Sequence, residues 1–118
     1  MKIKSIRYPV PLETIKDIEN DNIDVFIELE NHYIYTLVVA TPLNLLSLMK
    51  KDNIDFSEPG PPFIIVEQLT KETIERAIKA YSKDDAYRLK MYYLCSDFDI
   101  DTVNNLDKRS RDEYFTKP

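Results

Sequence analysis

Between Ile23 and Leu29 the chain alternates without a break: Ile23, Val25, Ile27 and Leu29 are separated by Asp24, Phe26 and Glu28. A period of two is what a β-strand imposes when one face is buried and the other meets water. Glu30, Asn31 and His32 then supply a polar turn. The run Tyr33-Ile34-Tyr35-Thr36-Leu37-Val38-Val39 that follows is aromatic and β-branched, a composition suited to a pleated, packed surface. Two such runs predict an antiparallel hairpin over residues 23–39. The second strand is apolar on both faces, which places it inside a sheet, while the first shows Asp24 and Glu28 to solvent.

The rest of the chain reads as strands and helices with few breakers. Gly60 is its one glycine, so the loops are built from Pro, Asn, Asp and Ser. Ile3-Lys4-Ser5-Ile6-Arg7-Tyr8 predicts an edge strand ended by Pro9, and Leu12, Ile15 and Ile18 give a short helical face. Thr41-Pro42 starts a helix, with Thr as cap and Pro at the first helical position. Leu45, Leu46 and Met49 form its expected core stripe, and Lys50 and Lys51 suit its negative end. Residues 53–62 are irregular, and 63–66 form a short buried strand. Thr70 caps a helix whose Ile74, Ala77, Ile78 and Tyr81 share one face. Asp84 and Asp85 open another, with Tyr87, Met91, Leu94 and Cys95 as its stripe. Residues 100–106 add a short helix, and the charged segment 107–118 is expected to be a loosely ordered tail. These elements predict a single α+β domain over residues 1–118: a small antiparallel sheet, made of the hairpin 23–39 and the strand 63–66, with helices packed on one face.

Charge and cysteine usage narrow the function. Lys and Arg number 16 against 21 Asp and Glu, for a net charge of −5. A dominant basic face for nucleic acid is therefore not expected. One Cys and one His rule out an internal disulfide and a Cys/His zinc site. No apolar segment follows the basic start, so no secretory signal is read there. The most apolar stretch, residues 33–49, is broken by Pro42 and Asn44 and is not read as a membrane span. With Cys95 unpaired, the expected location is the cytoplasm.

Several residues offer candidate chemistry. Asp97, Asp99 and Asp101 fill alternate positions of a calcium loop, but Thr102 stands where Gly is needed and Lys108 where a bidentate Glu is needed. Asp99-Ile100-Asp101-Thr102-Val103 resembles the start of a phosphatase motif without the enzyme that should follow. An Asp cap on the next helix accounts for these acids better. His32 lies in a turn with no Ser or Asp beside it, and Cys95 reads as a small core hydrophobe. Catalytic residues, metal ligands and cofactors are accordingly not assigned.

Two features point instead to a protein partner. Seven acids, Glu13, Asp17, Glu19, Asp21, Asp24, Glu28 and Glu30, stand against Lys16 alone. Such a run is either a solvated face or one contiguous patch that steers a basic partner. The chain also has eight Tyr, four of them (Tyr81, Tyr87, Tyr92 and Tyr93) near two helices. Tyr87 and Tyr92 are candidate contact residues, the other role for these rings being to close a small core.

The stretch Pro59-Gly60-Pro61-Pro62-Phe63-Ile64-Ile65-Val66-Glu67-Gln68-Leu69-Thr70 leads into the helix of Ile74 and Ile78. With the small size, the acidity and the α+β layout, it resembles the small cytosolic immunity proteins of bacterial contact-dependent growth inhibition and polymorphic toxin systems. That resemblance implies a non-enzymatic protein that binds one cognate toxin domain, often a nuclease, and blocks its active site or substrate entry. It carries over no residue position by position. The alternatives are a structural or adaptor module, homodimeric through the hairpin edge or the Tyr-bearing helices, and an enzyme using Asp97 and Asp99 with a metal.

Overall fold

A computed structural model describes residues 2–95 and 98–115, with side chains through residue 109. Four strands, β1 (Ile3–Arg7), β2 (Asn22–Leu29), β3 (Ile34–Ala40) and β4 (Phe63–Ile65), form one sheet in the order β1-β2-β3-β4. β2 and β3 are the expected hairpin, in register Ile23 to Val39 and Ile27 to Tyr35. Its turn closes with the His32 N–H donating to the Leu29 carbonyl at 2.9 Å, and His32 takes a positive φ of 67°. Ile23, Val25, Ile27 and Leu29 are buried, as the alternation requires. β1 pairs antiparallel with β2 at the sheet edge. Lys2 and Lys4 and a bulge between Ile3 and Ser5 blunt that edge against further pairing.

The α+β class stands, but the sheet is mixed and not antiparallel throughout. β4 runs parallel to β3, with Val39 opposite Ile64. Helix α1 (Pro42–Lys51) lies between them in sequence, and a helical crossover of this kind returns the chain in the same direction. Thr41 caps α1 by accepting from the Asn44 N–H, with Pro42 in the first turn and Lys50 and Lys51 in the last.

One sheet face holds the core. Helix α2 (Lys71–Tyr81) presses Ile74 and Ile78 onto it, and helix α3 (Lys83–Cys95) adds Ala86 and Leu89, all four fully buried. Leu69, Val66 and Ile64 complete the cluster, with Leu12 and Ile15 packed at its margin. Only Leu12–Thr14 of the expected first helical segment forms a turn, of 3-10 type. α1 contributes nothing to this core, so the helices do not all share a face. Its Asn44 Oδ1 accepts from Asn22 Nδ2 at 2.9 Å, and Leu45, Leu48 and Met49 line a cavity of about 150 Å³ with Phe63. Asn22 and Phe63 alternate with core residues and therefore point to the other face. Leu46, expected in the core, is 43% exposed.

α3 departs from expectation at its start. Asp84, Asp85 and Ala86 take φ of 54°, 61° and 60°, a left-handed turn before the right-handed helix. Each such non-glycine residue costs about 1–2 kcal/mol. The turn shifts the phase of the helix, so Ala86 and Leu89 are buried and Tyr92 and Tyr93 half-buried. The expected stripe of Tyr87, Met91, Leu94 and Cys95 faces outward instead. Helix α4 (Ile100–Phe115) is longer than expected and crosses most of the segment read as a loose tail. Every side chain described in it is exposed.

Candidate partner-binding site

The acidic residues begin in the connection between β1 and β2, residues 8–21, which is pinned rather than free. The Leu69 N–H donates to the Ile18 carbonyl at 2.8 Å, and the Thr41 N–H to the Asp21 carbonyl at 3.3 Å. Asp17 Oδ1 accepts from the Glu19 N–H at 3.0 Å, Glu19 Oε1 from Gln68 Nε2 at 3.0 Å, and Asp21 Oδ1 from the Asn22 N–H at 2.8 Å. Glu13 sits in the 3-10 turn. Asp24 follows on the open sheet face, opposite Val38. Among the described residues none of these five carboxylates is in an ion pair. Exposed Val10 and Ile18 lie in the same connection, so apolar contact area accompanies the charge.

Glu28 is set apart from these five acids by the cations around it. Glu28 has only 14% of its side chain exposed, with Lys4 Nζ at 3.4 Å, Arg7 Nη2 at 3.5 Å and His32 Nδ1 at 3.7 Å. The Ser5 hydroxyl also donates to it, at 3.3 Å. Burial works to raise its pKa, but the Lys4 ammonium, Ser5 and His32 outweigh that and hold the carboxyl below its ordinary value. Glu30 accepts from the Lys2 N–H at 3.1 Å. The β1–β2 register sets Lys4 and Arg7 beside Glu28, about 14 Å along the strand from Asp24 at about 3.4 Å per residue.

The two Tyr candidates also part. Tyr92 is half-buried and meets Tyr81 edge to face, with ring centroids 5.2 Å apart. Burial, and then its hydrogen bond with Tyr92, pushes the Tyr81 hydroxyl up to about 12. Tyr93 meets Tyr35 in the same way at 5.2 Å. Tyr92 therefore packs against the core with part of its ring covered. Tyr87 is 52% exposed, with the Arg88 guanidinium 5.3 Å from its ring centroid. α3 covers the core face of the sheet, while Asp24 and Glu28 point from the other. The sheet thus separates the tyrosines from those acids.

The remaining candidates have local roles. Asp99 caps α4, its Oδ1 accepting from the Thr102 N–H at 2.8 Å, and hydrogen bonds from the Thr102 hydroxyl and then its N–H hold the carboxyl below its ordinary value. Asp97 lies outside the described residues. His32 sits in the hairpin turn, 3.3 Å from Lys4 Nζ. Cys95, expected in the core, is exposed at the end of α3. Among the described residues no helix is long and apolar enough to cross a membrane. No protein-family model, curated protein or solved structure matches the chain.

Proposed function

We propose that this chain is a non-catalytic, cytoplasmic inhibitor of the immunity-protein kind. It binds one cognate toxin domain with a basic surface, a nuclease being the class that fits, through the acidic connection between β1 and β2. The observation that carries this reading is the set Glu13, Asp17, Glu19, Asp21 and Asp24, none of which is in an ion pair among the described residues, whereas Glu28 is held among Lys4, Arg7 and His32. Unpaired carboxylates on a pinned segment can meet a partner's cations with little ordering cost.

The test is direct binding to the toxin domain encoded beside this chain's gene. Reversal of Glu13, Asp17 and Asp24 to Lys should weaken binding at least several-fold while the fold persists by circular dichroism. No binding to the neighbouring product, or binding indifferent to the reversals, removes the proposal. A structural module remains the second reading. It is favoured by α4, whose Ile100, Val103 and Leu106 are 69%, 44% and 48% exposed and offer an apolar stripe for another surface.

A further inference from the structure

Three consecutive residues without a glycine among them, Asp84, Asp85 and Ala86, hold the left-handed conformation at the start of α3, just after α2 ends. L-residues visit that region singly, and a run that includes Ala is strained. Ser82, Lys83, Asp84, Asp85 and Ala86 contain neither Gly nor Pro, so no residue here forbids a right-handed helix from continuing through them. The bend itself holds an Asp85–Lys90 ion pair at 3.2 Å and the Ala86 N–H donating to the Ser82 carbonyl at 3.0 Å, and what α3 buries holds it against the core. Ala86 and Leu89 enter the core, Tyr93 meets Tyr35 of β3, and Tyr92 meets Tyr81 of α2. These contacts join side chains, and the α3 of another molecule can make them equally well.

We propose that a second copy of this chain is a binding partner, through exchange of α3. The connection straightens into one right-handed helix over residues 71–95, and α3 with α4 packs on the partner copy's sheet in place of its own. Each copy keeps its core contacts and is relieved of three left-handed residues, and short strained hinges favour such exchange. In the straight helix Tyr81 and Tyr92 stand about 16 Å apart along the axis, so their ring contact can be made only between copies. Every side chain described in α4, residues 100–109, is exposed, so these residues add no buried side chain that exchange must uncover.

The test is sedimentation of the full chain from micromolar to near-millimolar concentration, after unfolding and refolding with reductant present to keep Cys95 a thiol. The wild type should show a concentration-dependent dimer. Asp84→Ala and Asp84→Gly remove the same carboxylate and differ in backbone preference. The left-handed penalty falls on Ala and the helical penalty on Gly, so their dimer dissociation constants should diverge by at least about a hundredfold, Ala the tighter. If Asp84→Ala fails to fold, Asp84→Gly against the wild type still decides, because Gly must shift the chain toward monomer. A wild type and an Asp84→Ala variant that both stay monomeric overturn the proposal. So does a dimer equally tight or tighter in Asp84→Gly, which would associate through another surface.

Discussion

Tyr8 carries a hydroxyl that is fully enclosed yet has no hydrogen-bond partner among the described residues. An enclosed donor without a partner is costly, so Tyr8→Phe should raise stability by about 1 kcal/mol in urea unfolding. Burial, and then the Glu75 charge, pushes this hydroxyl up to about 12 from an ordinary 10.0. The folded state therefore holds the proton more tightly than the unfolded chain. The corresponding stability is complete below pH 10 and is lost as pH rises through about 12, with Tyr81 acting in the same direction. Tyr8→Phe should flatten part of that alkaline limb. Glu28 acts on the acid side with the opposite sign, as do Asp85 and Asp99, since its folded pKa lies below the ordinary 4.5. Its contribution is present above that pH and lost as pH falls through the folded value. Glu28→Gln should be the less stable protein at neutral pH, and a pH series of unfolding midpoints should show the gap closing in acid. The charge of Glu28 is evident in the sequence, but its cations are not. Lys4 and Arg7 reach it only because β1 pairs with β2 in one particular register.

The elements that could be read correctly are those whose own residues carry the signal. Ile23 to Leu29 alternates because one face of β2 is buried, and Thr41 and Thr70 cap their helices through local bonds. α1 and α3 were harder for a physical reason. An amphipathic stripe says that a helix has an apolar side, not which sheet face receives it, and α1 went to the side away from the core. α3 has its phase set by the left-handed Asp84-Asp85-Ala86, a run with no glycine to announce it. The direction of β4 is likewise fixed by the crossover and not by the residues of the strand. Paired truncations measure the difference. Leu89→Ala removes a fully buried side chain and should cost about 2–5 kcal/mol, whereas Leu46→Ala acts on a half-exposed one and should cost about 0.5 kcal/mol or less. Equal losses in urea unfolding would mean that α1 belongs to the core after all.

The whole molecule is extended, with a Cα radius of gyration of 17.1 Å where a compact chain of this length has about 13.5 Å. Its charge is spread as unevenly as its mass. Glu28 is ion-paired at the hairpin end, so the acids of residues 13–24, which are in no ion pair among the described residues, dominate the field near the β1–β2 connection. Such a field acts mainly on encounter with a basic domain, and salt is the probe. Raising ionic strength from about 50 to about 500 mM shortens the Debye length from roughly 14 to roughly 4 Å. Association with the neighbouring toxin domain should then slow about tenfold or more, while dissociation changes little. Bulk charge alone would also give some salt dependence, so position must be tested as well. Asp101 and Asp107 are exposed on α4, away from the connection in sequence, and their reversal to Lys changes net charge as much per residue as reversal of Glu13 and Asp24. Glu28→Lys is not an equivalent variant, because it would set a third cation beside Lys4 and Arg7 and weaken the fold. Stopped-flow association rates should fall with the Glu13 and Asp24 pair and hardly move with the Asp101 and Asp107 pair. Equal losses from the two pairs would mean that the partner senses only net charge and docks elsewhere.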